Sequence, residues 1–362
     1  MRIIFDYKIF FQQKYGGPAR YFAELFESLN KIENNTFIIS PAYINEYLQQ
    51  SNFSTNIIGN KVKLKKFIGP FLDLYNKVLS KKAYLKLKPD IIHTSYYDKY
   101  LVSNNKPLVL TVHDLIHEVY QNEYGLDLSS KKTMIERADH IICVSKSTQN
   151  DLLKYYNINK KKISVIYHGK PKLKPIEFQD SFPQMNKPFF LYLGSRKRYK
   201  NFRLFLEAYV MNQNIAKDFD IVCFGGGNFL NEEKQLFKSL KIKNEQIKNY
   251  LGDDRFLSYL YKNATAFIYP SLYEGFGMPI LEAMNLNCPV ISSNTSSMPE
   301  VYGNAALAFD PTKKDELADC LKAIVFDTDL RKNLIDKGKA RASLFSWDKC
   351  ARETKSIYSK LL

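Results

Sequence analysis

The sequence has few cysteines and no long apolar run. Its 362 residues include five cysteines, which are far apart and form no Cys-x-x-Cys pair. This spacing argues against a disulfide framework and against a zinc site, so we expect reduced thiols packed in a core. No apolar run has the length of a membrane span, and the chain enters a strand-like segment directly. We therefore expect no signal peptide and a cytoplasmic protein.

Basic residues outnumber acidic ones, and the positive charge is unevenly distributed. The formal net charge is +16, with 27 Lys and Arg against 15 Asp and Glu up to residue 175, and 26 against 22 after it. Two lysine clusters lie in the first half: Lys61, Lys63, Lys65 and Lys66, then Lys81, Lys82, Lys86 and Lys88. Basic residues interleaved with apolar ones are typical of proteins that lie on an anionic membrane. Nucleic-acid binding and a merely solvated face are the alternatives.

Strand-like and helix-like segments alternate throughout the chain, which predicts parallel α/β architecture. The predicted strands are Arg2–Phe5, Thr36–Ser40, Ile91–Thr94, Leu108–Val112, His140–Val144, Ile163–Tyr167, Phe189–Leu193, Asp220–Phe224, Ala266–Tyr269 and Pro289–Ile291. A stretch rich in proline and lysine, 170–187, interrupts the alternation and predicts a linker between two doubly wound domains. In such sheets the ligand lies outside the carboxyl ends of the strands.

The most informative segment is 274–282, Glu-Gly-Phe-Gly-Met-Pro-Ile-Leu-Glu. Pro279 fits the first turn of a helix, and Gly275 and Gly277 allow a tight turn before it. The start of a helix suits a phosphate, while two carboxylates can accept hydrogen bonds from hydroxyl groups. The segment therefore predicts a sugar-nucleotide site. Capping of backbone N–H groups by the carboxylates is the alternative.

Two motifs in the first half follow predicted strands. Gly16 and Gly17 precede Pro18, and a Gly-Gly turn that opens a helix can bring backbone N–H groups to a phosphate; a plain tight turn is the alternative. His113 and His117 are four residues apart, a spacing that binds metal on a helix. Because this segment begins at a strand end and no third ligand is evident, we expect no metal there. A structural role is the alternative for either histidine.

A basic loop follows the predicted strand Phe189–Leu193. Its cations are Arg196, Lys197, Arg198 and Lys200. Cations at a helix entrance can stabilise the charge on a departing diphosphate, although a solvated loop is the alternative. Two further patterns are explained by local structure, although a pocket-lining role for the first stays an alternative. The Gly-Gly-Gly run at 225–227 lacks the last glycine of a dinucleotide-binding pattern and predicts a tight turn, and the Asp-Thr-Asp at 327–329 predicts a helix cap.

Together these motifs resemble the family 4 retaining glycosyltransferases, and the likeness extends over nearly the whole chain. The resemblance implies the GT-B fold, an α/β architecture of two Rossmann-like doubly wound parallel-sheet domains facing a cleft. It also implies an acceptor-side domain over 1–172, a linker over 173–187 and a nucleotide-sugar-binding domain over 188–345. A C-terminal helix over 346–362 would cross back to the first domain.

The resemblance implies a role for each motif. The catalytic residues would be His113, Glu274, Arg196 and Lys200. The donor phosphates would lie against Gly16, Gly17, Arg196 and Lys200, and the donor sugar against His113, Glu274, Gly275, Phe276, Gly277 and Met278. Ribose and base would lie against Glu282, Leu251, Gly252 and Asp253. No cofactor and no catalytic metal are implied beyond the nucleoside diphosphate sugar itself.

The function that follows is transfer of a hexosyl group from a nucleoside diphosphate sugar, GDP-mannose or a UDP-hexose, to a hydroxyl group. The acceptor would be a glycan or lipid-linked glycan in surface polysaccharide or lipopolysaccharide biosynthesis. The enzyme would be cytoplasmic or would lie on the inner face of the cytoplasmic membrane, which the lysine clusters would contact. No nucleic-acid partner is expected. The alternatives are a GT-B sugar-nucleotide epimerase and a non-catalytic basic protein that binds nucleic acid or membrane.

Overall fold

The computed structural model describes residues 1–63, 69–98, 106–177, 179 and 182–362, with the backbone alone at 123 and 124. Lys65 and Lys66 of the first lysine cluster therefore lie outside the described residues. The chain forms two compact units. The first comprises Met1–Gly169 and Ser346–Leu362, and the second comprises Lys170–Phe345.

The first unit contains a seven-stranded parallel sheet in the order β3-β2-β1-β4-β5-β6-β7. The strands are β1 Ile3–Phe5, β2 Thr36–Tyr43, β3 Ile57–Lys61, β4 Ile91–Thr94, β5 Leu108–Val112, β6 His140–Cys143 and β7 Ile163–Val165. The central strands are buried on both faces, which explains their continuous apolar runs.

The described helices between and after these strands are α1 Lys8–Gln12, α2 Gly17–Ile32, α3 Glu46–Gln49, α4 Gly69–Leu87, α5 Ile116–Val119, α6 Gln121–Tyr124, α7 Ser129–Arg137 and α8 Lys146–Tyr155. Pro18 lies in the first turn of α2, as the sequence predicts, because its fixed φ suits that position and its missing N–H would be unpaired there.

The second unit contains a six-stranded parallel sheet in the order β10-β9-β8-β11-β12-β13. The strands are β8 Phe189–Leu193, β9 Asp220–Phe224, β10 Ile247–Tyr250, β11 Ala266–Tyr269, β12 Val290–Ser293 and β13 Leu307–Phe309. The helices are α9 Phe202–Val210, α10 Gln213–Asp218, α11 Asn231–Ser239, α12 Asp254–Asn263, α13 Met278–Asn285, α14 Met298–Tyr302, α15 Lys314–Phe326 and α16 Thr328–Ser343. The carboxylate of Asp327 caps α16, accepting a hydrogen bond from the N–H of Leu330 at 2.8 Å, as predicted.

The last helix, α17 Trp347–Leu361, packs on α2 of the first unit. The hydroxyl of Tyr358 in α17 lies 2.6 Å from Nδ1 of His93 in the central strand β4. The division into domains at 172, 187 and 345 stays a prediction, as does the linker between them.

All ten predicted strands are present, with ends that differ from the prediction by at most three residues. The strands β3, β10 and β13 were not predicted, and each lies at an edge of its sheet. Across the described ranges, no helix is both long enough and apolar enough to cross a membrane.

Candidate active site

The strand order of the second sheet reverses between β8 and β11. From β8 the chain continues outward to β9 and β10, whereas from β11 it continues the other way to β12 and β13. The loops that leave these two neighbouring strands therefore diverge, and the crevice between them is where doubly wound sheets bind ligands. One loop carries Arg196 and Lys200, and the other carries Glu274.

Lys200 and Glu274 meet in this crevice. The ammonium Nζ of Lys200 lies 2.6 Å from Oε1 of Glu274, and their side chains are only 16% and 13% exposed. The hydroxyl of Ser271 donates to the same carboxylate oxygen at 2.6 Å. The Ser271 hydroxyl and the Lys200 ammonium thus hold this carboxylate in one orientation. The crevice thus presents one fixed cation and one fixed carboxylate side by side.

The backbone around Glu274 is held by two serines that the sequence reasoning missed. The hydroxyl groups of Ser296 and Ser297 both donate to the carbonyl oxygen of Glu274, at 2.6 and 2.8 Å. Ser297 also donates to the carbonyl oxygen of Phe276 at 2.8 Å. These serines follow β12, so the loop after one strand braces the loop after its neighbour. The Ser-Ser before the Met-Pro of α14 is the only signal in the sequence for this role.

Residues 275–277 form the turn that leads into α13, and Met278 is the first residue of the helix. Gly277 has φ +107°, a left-handed conformation that favours glycine, and Pro279 lies in the first turn, as predicted. The side chains of Phe276 and Met278 are buried, at 4% and 7% exposure. This turn therefore offers its backbone, rather than large side chains, to a ligand. Gly275 lies within the same turn, and its proposed contact with the donor sugar stays a prediction.

Glu282 lies on α13, one turn after Pro279, and is 5% exposed. Its Oε2 accepts a hydrogen bond from the hydroxyl of Tyr261 on α12 at 3.0 Å. The pKa of Tyr261 is raised well above its usual value, mainly by burial and to a smaller extent by the charge of Glu282. The Tyr261 hydroxyl therefore stays protonated and can donate. Glu282 is the fifth of the eight residues of α13, whereas Glu274 precedes the helix by four residues. Binding of ribose by Glu282 stays a prediction.

Arg196 is surrounded by protein acceptors, whereas the resemblance implies that it contacts the donor phosphates. Its guanidinium donates to the carboxylate of Glu233. It also donates to three carbonyl oxygens of the turn after β9, those of Gly225, Gly227 and Asn228. A further acceptor is the side-chain oxygen of Asn249 on β10. All of its N–H groups have protein acceptors, so Arg196 shapes the glycine turn. Direct binding of a phosphate stays a prediction, and Lys200 is the better-placed cation.

The loop 251–253 combines an exposed apolar side chain with a helix cap. Asp253 caps α12 by accepting hydrogen bonds from the N–H groups of Arg255 and Phe256, at 3.1 and 3.0 Å. A side chain at Gly252 would lie 2.9 Å from the ring of Phe256. Leu251 is 65% exposed. The capping role accounts for Asp253, and the contact of this loop with the base stays a prediction.

In the first unit, His113 directly follows β5 and is buried. Its ring packs edge-on against that of Tyr21, with centroids 5.3 Å apart, and lies 6.4 Å from that of His168. Burial, with a smaller contribution from Lys131, lowers the pKa of His113 to about 3, so the imidazole is neutral at physiological pH. Within the described chain its Nε2 has no hydrogen-bond partner. A contact with the donor sugar stays a prediction.

Gly16 and Gly17 lie at the start of α2. The side-chain oxygen of Gln13 accepts a hydrogen bond from the N–H of Ala19 at 3.3 Å, and a Cβ on Gly16 would lie 2.2 Å from that oxygen. Gln13, which the sequence did not single out, thus accepts the hydrogen bond of one backbone N–H group at this helix start. Phosphate binding by Gly16 and Gly17 stays a prediction. No cluster of three or more metal-ligating acidic, His or Cys side chains occurs among the described residues, His113 and His117 included.

Comparison with known families accounts for both units. Residues 15–170 match the model described as Glycosyltransferase Family 4, and residues 174–341 match the model described as Glycosyl transferases group 1. The chain belongs to the family 4 glycosyltransferases. The resemblance inferred from Glu274, Glu282 and the basic loop is thereby confirmed.

Relatives of this glycosyltransferase include O-antigen chain mannosyltransferase B of Escherichia coli, 27% identical over 95% of this chain and 96% of the relative. O-antigen chain mannosyltransferase RfbU of Salmonella typhimurium is 26% identical over 85% and 87% of the two chains. Among solved structures, Anabaena Alr3699/HepE in complex with UDP-glucose has a TM-score of 0.77 at 17% identity, with both chains fully covered. The fold is GT-B, as predicted.

Proposed function

We propose that this glycosyltransferase transfers a hexosyl group from a nucleoside diphosphate sugar to a hydroxyl group with retention of anomeric configuration. The observation that carries the proposal is the Lys200–Glu274 pair at the strand-order reversal of the second sheet. A cation beside a hydroxyl-binding carboxylate matches a ligand in which a diphosphate adjoins a sugar. When the donor binds, Lys200 faces its phosphate oxygens and Glu274 accepts hydrogen bonds from its sugar hydroxyls.

In the proposed reaction the bond between the anomeric carbon and the diphosphate oxygen breaks, and a bond from that carbon to the acceptor oxygen forms on the same face. The acceptor hydroxyl gives its proton to an oxygen of the departing diphosphate. Lys200 stabilises the charge that develops on this leaving group, and the start of α13 adds its dipole. Two groups stabilise the positive charge that develops on the sugar. They are the carboxylate of Glu274 and the backbone of residues 275–278.

The proposed donor is GDP-mannose or a UDP-hexose. Mannose is supported by the names of the two O-antigen relatives, and a uridine donor by the UDP-glucose in the Anabaena structure. The same relatives support a glycan or lipid-linked glycan of surface polysaccharide as the acceptor. Because such acceptors are assembled on lipid, we propose that the enzyme works at the cytoplasmic face of the membrane.

The donor is tested by a thermal-shift panel with GDP, UDP, ADP and dTDP, followed by turnover of the matching sugar nucleotides. We expect one nucleoside diphosphate to stabilise the protein most, since binding to the folded state raises the melting temperature. Proton NMR of the product should show the anomeric configuration of the donor. No shift with any nucleotide, or an inverted product, would contradict the proposal.

Metal dependence gives a second test. Because Lys200 and the helix start neutralise the diphosphate, we expect turnover with excess EDTA to equal turnover without it. The control is a Mg²⁺ titration of the EDTA-treated enzyme, which should leave the rate unchanged. Loss of turnover with EDTA that Mg²⁺ or Mn²⁺ restores would contradict the proposed leaving-group stabilisation and return attention to His113 and His117.

A further inference from the structure

The backbone on both sides of Lys200 is tied to distant segments of the second unit. The N–H of Leu272, in the loop after β11, donates to the carbonyl oxygen of Tyr199 at 2.8 Å. The side-chain amide of Asn201 donates to the carbonyl oxygen of Pro311 at 2.7 Å. These contacts hold the start of the Lys200 side chain in place. The position of its ammonium group then depends on what the rest of the side chain contacts.

Two tyrosine rings face the ammonium group of Lys200. Its Nζ lies over the ring of Tyr199 and over that of Tyr269, 5.4 Å from each centroid. At such distances the negative face of an aromatic ring attracts a cation. Tyr269 is the last residue of β11 and is 3% exposed, so its ring is fixed in the sheet. Glu274 completes the surroundings of the ammonium, with Oε1 at 2.6 Å. We call Tyr199 and Tyr269 the tyrosine pair.

The tyrosine pair and Glu274 affect the charge of Lys200 differently. The carboxylate of Glu274 neutralises the ammonium and competes with a phosphate for it. A ring face attracts the cation through its quadrupole but has no net charge, so the ammonium keeps its charge for an anion. In the proposed donor complex Glu274 accepts hydrogen bonds from sugar hydroxyls, whereas the tyrosine rings keep their contact with Lys200. The tyrosine pair can therefore hold the ammonium throughout the reaction.

We propose that Tyr199 and Tyr269 are positioning residues of the transfer reaction. They hold the ammonium of Lys200 at the diphosphate in partly desolvated surroundings, where it stabilises the leaving group more strongly than a solvated lysine does. The inference rests on the proposed function, because the tyrosine pair acts through the contact between Lys200 and the donor. It deepens that function by assigning the strength of this contact to two side chains that need not touch the donor.

The first test is steady-state kinetics of the full-length protein with the sugar nucleotide that it turns over. Tyr199→Leu and Tyr269→Leu should each lower kcat by about ten-fold and change KM less, because the charge of the leaving group develops only in the transition state. Tyr199→Phe and Tyr269→Phe should keep kcat within about two-fold of wild type, since the ring face remains. Equal losses in the Phe and Leu variants would overturn the proposal by assigning the effect to the hydroxyl groups.

Two comparisons distinguish positioning from a structural role. Tyr209 on α9 is 1% exposed, so Tyr209→Leu removes a tyrosine at least as buried as Tyr269 and should lower the melting temperature but not kcat. In a Lys200→Ala background, Tyr269→Leu should cause no further loss of kcat, because Tyr269 acts through the ammonium. A loss of kcat in Tyr209→Leu equal to that in Tyr269→Leu, or a further ten-fold loss in the Lys200→Ala background, would overturn the proposal.

A fluorinated ring at position 269 gives the most specific readout. The ring of Tyr269 is replaced by that of phenylalanine with no, one, two or three fluorine atoms, which withdraw electron density from the ring face and hardly change its shape. We expect log kcat to fall with each fluorine, since the attraction for the ammonium weakens. A constant kcat across the series would overturn the proposal.

The Lys200→Ala protein separates this inference from the proposed function. If Lys200→Ala loses turnover while both Leu variants keep it, the proposed function stands and the role of the tyrosine pair is overturned. If a folded Lys200→Ala protein keeps its turnover, both fail, because the tyrosine pair has no other route to the donor. Far-UV circular dichroism and the melting temperature show that each variant is folded.

Discussion

At the scale of single residues, Arg196 connects three segments of the second unit. Its side chain is 3% exposed, and its Nε lies 2.6 Å from Oε1 of Glu233 on α11. Its remaining donors reach the carbonyl oxygens of the glycine turn and the side chain of Asn249 on β10. A guanidinium suits this position because its planar fork of five donors can serve several acceptors at once.

We predict that Arg196→Ala destabilises the second unit by about 2 kcal/mol, because it leaves the carboxylate of Glu233 and the carbonyl oxygens of the glycine turn without their charged donor. Thermal unfolding followed by far-UV circular dichroism measures the effect. The single tryptophan, Trp347, lies in the first unit, so its fluorescence serves as an internal control and should move less. Normal stability combined with weakened nucleotide binding would instead support the phosphate contact predicted from the sequence.

At the same scale, sequence reasoning finds the charged residues of the crevice but not their supports. Lys200 and Glu274 stand out because each lies in a motif, the basic loop after β8 and the glycine-rich turn before α13, that resembles the family pattern. Ser296, Ser297 and Gln13 are common loop residues, and only the fold brings their side chains to backbone groups distant in sequence. The engagement of Arg196 was unpredictable for the same reason, since its acceptors are mostly backbone carbonyl oxygens.

At the scale of elements, the glycine turn after β9 has a conformation that only glycine adopts easily. Gly225, Gly226 and Gly227 all have positive φ, at +81°, +73° and +76°. A Cβ on Gly226 would lie 2.4 Å from the carbonyl oxygen of Gly194, whereas one on Gly227 would meet no atom within 4 Å. The turn therefore packs directly on the backbone at the start of the basic loop.

We predict that Gly227→Ala costs about 1 kcal/mol, from the left-handed backbone alone. Gly226→Ala should cost about 1–3 kcal/mol more, because the added methyl group collides with rigid backbone. Denaturant unfolding of the two variants, followed by far-UV circular dichroism, measures the difference. Equal losses of stability would contradict the close approach of Gly226 to Gly194.

The strands that sequence reasoning missed share a physical cause. β3, β10 and β13 are edge strands, and each has half-exposed or exposed residues among its few positions. A strand with one free edge needs no continuous apolar run, so its sequence lacks the signal that identified β5, β8 and β11. Pro18 and Pro279, in contrast, predict helix starts from local chemistry alone, and both predictions are confirmed.

At the scale of the whole molecule, the first unit buries three neutral histidines. Burial lowers the pKa of both His93 and His113 to about 3 and that of His168 well below its usual value. Each of these groups binds a proton in the unfolded chain below about pH 6.5 but not in the folded unit. Burial also raises the pKa of Asp6 from 3.8 to about 6. Between these two pH values the Asp6 carboxyl is protonated in the folded unit but ionised in the unfolded chain. Its effect on the pH dependence of stability is therefore opposite to that of the histidines.

We predict that stability falls as pH is lowered from 6.5 to 4.5. Near pH 5 these four groups together take up about two protons on unfolding, which corresponds to roughly 3 kcal/mol per pH unit. Fluorescence of Trp347 in denaturant titrations at several pH values measures the slope. Asp6→Asn should steepen it by about one proton, because the opposing group is removed. A stability that is constant or rises toward pH 4.5 would contradict the neutral burial of the histidines.

The central claim is that Lys200 and Glu274 act together on the donor, and their substitution tests it most directly. We predict that Lys200→Ala and Glu274→Gln each lower turnover of the matched sugar nucleotide by about 100-fold or more, and that the double variant is little slower than either, because residues that act as a unit are not additive. Lys197→Ala, an exposed lysine in the same loop, should keep wild-type turnover. Near-normal turnover by a folded Lys200→Ala protein would contradict the account.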